Sequence, residues 1–368
     1  MFSVQTAYYD LIGMTSLMKL KNNAKFSAVP VYPIARDVCL MIYQINKEIL
    51  GNTIDLDPNI KKIRHRVKLY QKKNNFKVYK RIIDTHIHQF GNDIDNLGFY
   101  LDGDQLIGST IYSTYIFHDT QFFTYNPKKS AENAYNFMGK VGETIALIIE
   151  KLIEKSDYTL PLFAIPTFEY NDDTSYTEKD VLNSNFFVES QNQNVLLTRL
   201  VISLQEASTC IWLYNGISKA NNLLLYNYIL LRLLSIKADE VMDNLKNIQA
   251  FLSDDFLQVD KALNFKISSL INDFDKELCD ECRCLRNMIH YNEHDINFIE
   301  YVQEKMSIDN NYVNLFTSKI VKHYMEPFCK LVSEYLKVNE RKSMNDFEKI
   351  TKRLLSLAKG EKFRSSKW

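Results

Sequence analysis

The residues best suited to chemistry lie in one stretch, CDECRCLRNMIHYNEHD, residues 279–295. Read as a helix, it places Arg283, Asn287, His290 and His294 along one side, with Arg286 at the edge of that stripe. Leu278, Cys282, Leu285 and Ile289 recur with the same spacing on the opposite side and form an apolar stripe. One side is thus expected to dock on a core. The other gathers two guanidinium groups, an amide and two imidazoles within about 16 Å of axial rise. Imidazole titrates near neutral pH and can accept or donate a proton. Guanidinium stays charged and grips phosphate oxygens in a fork. The array is suited to holding a phosphate and moving protons around it.

The string Leu285–Tyr291, LRNMIHY, resembles the signature of the HEPN superfamily, helical proteins that include many metal-independent ribonucleases. That signature is an Arg, usually followed by a polar residue, then four to six residues and a His. Arg286-Asn287 matches its start and His290 its end, with three residues between Arg286 and His290. Arg283 has six residues between it and His290 but is followed by Cys284, so both arginines stay candidates. The resemblance implies an endoribonuclease that needs no cofactor, in which the RNA 2′-OH attacks the adjacent phosphorus and leaves a 2′,3′-cyclic phosphate. In that reading His290 is the general acid/base, Arg286 and/or Arg283 bind phosphate, and Asn287 fixes the pocket. It further implies RNA as substrate, a homodimer that brings two such helices together, and a toxin or phage-defence role restrained by a regulatory partner or antitoxin. The alternative class is a non-cleaving HEPN-like module that dimerises or binds a nucleotide.

Three other motifs compete for attention. Residues 81–88, RIIDTHIH, put Arg81 and His86 at a HEPN-like spacing, a candidate second site; the same residues resemble the Asp-x-His-x-His strand end of amidohydrolases, which bind zinc. That family needs a β/α barrel, and no strand–helix alternation follows here. Cys279-x2-Cys282 with His290-x3-His294 has a spacer of only seven residues and splits across opposite stripes, so buried structural cysteine is the better reading. The run 61–81 holds ten Lys/Arg and no Asp/Glu. Such a run is commonly a solvated helix face; it is also the strongest local positive field, and Lys61, Lys62, Arg64, Arg66, Lys68, Lys72 and Lys73 are candidates for holding flanking RNA. No Walker loop, dinucleotide fingerprint or nucleophile elbow occurs.

The elements that must position these groups read as mainly α. Gly (10) and Pro (7) are scarce in 368 residues, which disfavours sheets and tight loops. Helices are expected over 4–21, 33–50 (Pro33 near its start, Gly51 just past its end), 130–155, 194–214, 218–236, 237–252, 257–271, 274–292, 308–338 and 343–359. Asp239-Glu240 and Asp254-Asp255 read as acids at helix starts, and 295–311 as a loop. Residues 97–125 form a β-rich excursion around Asp102-Gly103-Asp104. The chain divides into an N-terminal helical region at 1–160, a connection at 161–193, a HEPN-like helical bundle at 194–340, and a C-terminal helix with basic tail at 341–368. Forty-five Lys+Arg balance 45 Asp+Glu, so any nucleic-acid affinity must be local. Six Cys with no secretory leader, and no long apolar run, lead to the expectation of a reduced, cytoplasmic protein with no membrane span.

Overall fold

The computed structural model describes residues 2–18, 28–64, 66, 76–90, 97–120, 122, 127–156, 176–219, 224–291 and 296–341, with isolated positions 351 and 355. The fold is mainly α with a small antiparallel sheet. Its first helices are α1 (Phe2–Met18), α2 (Ala28–Glu48), α3 (Pro58–Arg64) and α4 (Phe76–Phe90). A hairpin follows, β1 (Leu97–Asp102) and β2 (Gln105–Ser109), leading directly into α5 (Thr110–Phe117) and then α6 (Pro127–Lys155). Strand β3 (Tyr176–Val181) and the short α7 (Asn183–Phe186) precede the long pair α8 (Gln191–Lys219) and α9 (Leu224–Phe251). The remainder is α10 (Ser253–Ala262), α11 (Lys266–Glu277), α12 (Cys279–Asn287), α13 (Phe298–Ile308), and α14 (Tyr312–Lys319), which runs through a π turn (Ile320–Met325) into α15 (Glu326–Leu336).

The hairpin turns where expected, at Gly103 with φ +57, and Asp102 faces Gln105 across it. Leu97, Phe99 and Leu101 alternate into the core. Strand β3 pairs on the other side of β1, giving the order β2-β1-β3. Its sequence, YTEKDV, shows no apolar alternation because both faces are largely solvated. Gly51 does follow α2, at φ +63.

Several boundaries differ from expectation; the helix expected over 257–271, for one, breaks at 263–265 between α10 and α11. Residues 218–236 and 237–252 belong to one helix, α9. Lys237, Asp239 and Glu240 look like a polar break and a helix start, yet all three are at most 1% exposed at its middle. The supposed loop 295–311 contains α13, started by Asn297, whose side chain accepts from the Ile299 and Glu300 amides while Glu300 answers the Asn297 N–H. The helix expected over 274–292 breaks at Leu278 and ends at Asn287. The helix expected over 343–359 lies outside the described residues, apart from positions 351 and 355.

The described core is one continuous cluster, from Ala7 in α1 to Val338 beyond α15, so helices on both sides of the expected 160/194 division share it. At its centre α8 packs on α9, α2, β2 and α15. Helices buried on nearly every side must satisfy their own polar groups. Gln205 accepts from the Ser109 amide at 3.0 Å and donates to the Val29 carbonyl at 2.9 Å, joining α8 to the sheet and to α2. Deeper still, Arg36 and Asp37 of α2, Glu206 of α8 and Lys237 and Glu240 of α9 form a network of charges no more than 1% exposed. Arg36 pairs with Glu206, with Asp37 at 2.7 Å and with Glu240 at 2.7 Å. Lys237 reaches Asp37 at 2.6 Å and Glu206 at 2.8 Å, and the Tyr112 hydroxyl of α5 donates to Glu206.

Candidate functional site

Helix α12 is short for a physical reason. Its apolar side, Leu278, Cys282 and Leu285, is buried as the spacing predicts, and Ile289 continues it past the helix end. The carbonyls that residues further along would have bonded are taken instead by Arg232, a fully buried guanidinium of α9. It donates to Leu285 O and Met288 O, each at 3.1 Å. A cation there also complements the helix dipole. Arg232 is itself held by Asp10 of α1 at 3.1 Å, and Asp10 accepts from the Tyr228 hydroxyl at 2.8 Å and the Tyr291 hydroxyl at 2.7 Å. The chain therefore turns at 288–291, with the His290 amide bonded to Asn287 O at 2.9 Å.

That turn divides the expected polar stripe in two. Arg286 ion-pairs with Asp239 of α9 and lies 3.4 Å from Asp243; Arg283 lies 3.8 Å and 3.6 Å from the same two carboxylates. Asn287 Oδ1 accepts from the Arg286 guanidinium at 3.1 Å. Burial pushes the Asp239 carboxyl up to about 6, reinforced by Asp243 and opposed by Arg286 and Arg283. The two arginines and Asn287 thus fasten α12 to α9. His294 lies outside the described residues.

His290 faces the other way, onto α2. Its Nδ1 is 3.1 Å from Glu48 Oε1 and 2.8 Å from Gln44 Nε2. Gln44 and Glu48 are four residues apart on one helix, both nearly buried, and their side chains meet at 3.2 Å. The imidazole itself is 37% exposed. Arg64, the last residue of α3, donates to Gln44 Oε1 at 3.4 Å, and its guanidinium carbon sits over the Tyr43 ring, 3.8 Å from the centroid. A histidine held by a carboxylate and an amide, with a guanidinium bonded to that same amide, is what the structure brings together. Sequence reasoning found His290 but not Glu48, Gln44 or Tyr43, which lie some 240 residues away.

The remaining candidates separate. Lys61 and Lys62 are exposed on α3, and Lys62 donates to Asp119 O at 3.1 Å. Arg66 is 4% exposed and pairs with Asp119 while donating to Ile116 O at 3.1 Å, so it braces the fold and offers nothing to RNA. Lys68, Lys72 and Lys73 lie outside the described residues. Arg81 is exposed, whereas His86 is fully buried and meets Thr114 Oγ1 at 2.9 Å. Five residues apart on α4, they point in different directions, and the second site is not assembled. Cys279 and Cys282 are buried with α12's apolar side, and no group of three His, Cys, Asp or Glu side chains fit for a metal occurs among the described residues.

Comparison with protein-family models, with curated proteins and with solved structures gives no match for this chain.

Proposed function

We propose that the protein is a HEPN-like, metal-independent endoribonuclease that cuts RNA by 2′-OH attack and leaves a 2′,3′-cyclic phosphate. The observation that carries this reading is the Glu48–His290 pair on a partly exposed imidazole. With the ring proton on Nδ1 and donated to Glu48, and the Gln44 N–H directed to that same carboxylate at 3.2 Å, the ring is oriented so that Nε2 can take the 2′-OH proton and return it to the leaving 5′-oxygen. RNA is the substrate in this reading, with a homodimer placing two His290 turns at one cleft. A nuclease of this kind inside the cytoplasm that makes it calls for restraint, so a regulatory partner or antitoxin belongs to the proposal. Among the described residues no helix is long and apolar enough to cross a membrane.

The test is incubation of the purified protein with total RNA in EDTA, beside His290→Ala. Cleavage that survives chelation and vanishes with the histidine is the expected result. Cleavage that needs a metal, or that His290→Ala retains, rejects it. A second reading, a non-cleaving HEPN-like dimerisation or nucleotide-binding module, draws support from the ion pairs that occupy Arg283 and Arg286. A stable dimer that leaves RNA intact under all conditions favours that module.

A further inference from the structure

The ribonuclease reading needs positive charge on the phosphate, and the two arginines of the LRNMIHY region are poorly placed to supply it. Arg286 and Arg283 share Asp239 and Asp243, so that patch carries two positive and two potential negative charges. A phosphate arriving there would have to displace a carboxylate. Arg64 differs in its partners. Among the described residues no salt bridge holds it: its direct bond is to the Gln44 amide, and the Glu48 carboxylate, bonded to His290, acts on its charge from farther off. Its guanidinium is half-buried and held over the Tyr43 ring, a contact that does not consume its charge. Through Gln44 it is one side chain from His290 Nδ1.

We infer that Arg64, from α3, is the phosphate-binding cation, and that Tyr43, Arg64 and His290 line an anion cleft between α2, α3 and the turn after α12. The inference rests on the ribonuclease reading only for the identity of the anion as an RNA phosphate. Gln44 then serves two groups at once: its oxygen holds the guanidinium and its nitrogen faces the imidazole. Phosphate held by Arg64 arrives beside the group that moves protons. Guanidinium hydrogen bonds to an anion are worth about 1.5–3 kcal/mol, or roughly 10–100-fold in affinity.

The experiment follows His290 by NMR of histidine-labelled protein, with its ring signal assigned by its loss in His290→Gln. Inorganic phosphate and a 3′-mononucleotide are the probes. Both should shift the His290 signal saturably in the native chain and in Arg283→Gln. Arg64→Gln should weaken that binding by about 10–100-fold, and Arg64→Lys, which keeps charge but loses the fork, by less. Should Arg64→Gln fold poorly, the Arg64→Lys and Arg283→Gln comparison still separates the two patches. No saturable shift at His290, or a shift lost with Arg283→Gln and kept with Arg64→Gln, overturns the inference. RNA cleavage, run alongside, distinguishes the failures. Arg64-dependent anion binding without cleavage sinks the nuclease reading and keeps the cleft. Full cleavage by Arg64→Gln sinks the inference and keeps the nuclease.

Discussion

At His290, two neighbours at Nδ1 divide the work. The Glu48 carboxylate accepts from Nδ1–H, and the Gln44 amide N–H bonds that same carboxylate and holds it in place. Removing the ring, in His290→Ala, should cost about 10²–10⁴-fold in cleavage rate, the usual worth of a positioned acid/base. Glu48→Gln keeps the shape and deletes the charge; we expect slower cleavage with unchanged RNA affinity, measured as a fall in kcat at constant KM. Asp239 offers a separate prediction. Its folded pKa of about 6 lies above its ordinary 3.8, so it holds a proton in the fold that it releases when unfolded. Its contribution is full below about 3.8 and is lost as pH rises towards 6. Asp239→Asn should flatten the urea midpoint across that window. His290 was legible from the sequence because its chemistry is local to the LRNMIHY string. Glu48 was not, because nothing in α2 marks a carboxylate that a turn 242 residues later will need.

At the scale of elements, the turn that carries His290 exists because a guanidinium from α9 takes the carbonyls of residues 285 and 288. Period-3.6 spacing continued smoothly through Ile289, so pattern reading carried the helix five residues too far. A carbonyl captured by a distant buried side chain leaves no local trace. Strand β3 was missed for the opposite reason: as a solvated edge strand it carries charge where alternation is sought. The hairpin was legible because its turn chemistry sits in adjacent residues. Arg232 and Asp10 are both fully buried, so deleting either leaves the other charge uncompensated. Arg232→Met should therefore lower stability by about 3–5 kcal/mol by denaturant titration. The double replacement with Asp10→Asn should cost less than the sum of the two singles. A variant as stable as the native chain would show that the turn is set by something else.

At the scale of the whole molecule, the joint between α2, α8 and α9 is ionic. Arg36 and Lys237 face Asp37, Glu206 and Glu240, two positive groups against three potential negative ones, with the Tyr112 hydroxyl beside them. Burial pushes the Glu240 carboxyl up to about 7, with Asp37 and Glu206 adding to the rise and Arg36 and Lys237 opposing it. Among the described residues its Oε1 has no hydrogen-bond partner. A proton on Glu240 brings the cluster to neutrality. Stability from this group is full below about 4.5, its unfolded value, and is lost as pH rises through 7. Glu240→Gln, which copies the protonated form, should abolish that slope in urea midpoints taken at pH 5 and pH 8; an unchanged slope would place the proton elsewhere. Of these residues only Glu240 stood out in the sequence, and as an acid at a helix start, because partners on three helices cannot be seen from any one of them.

His290 meets Glu48 and Gln44 across 242 and 246 residues of chain. A ribosome adding about 5–20 residues per second makes α2 roughly 12–50 s before it makes the turn that completes the contact. A chain that has not yet reached residue 290 cannot form that pair, so on the proposed ribonuclease reading RNA beside the ribosome is spared until the turn has been made.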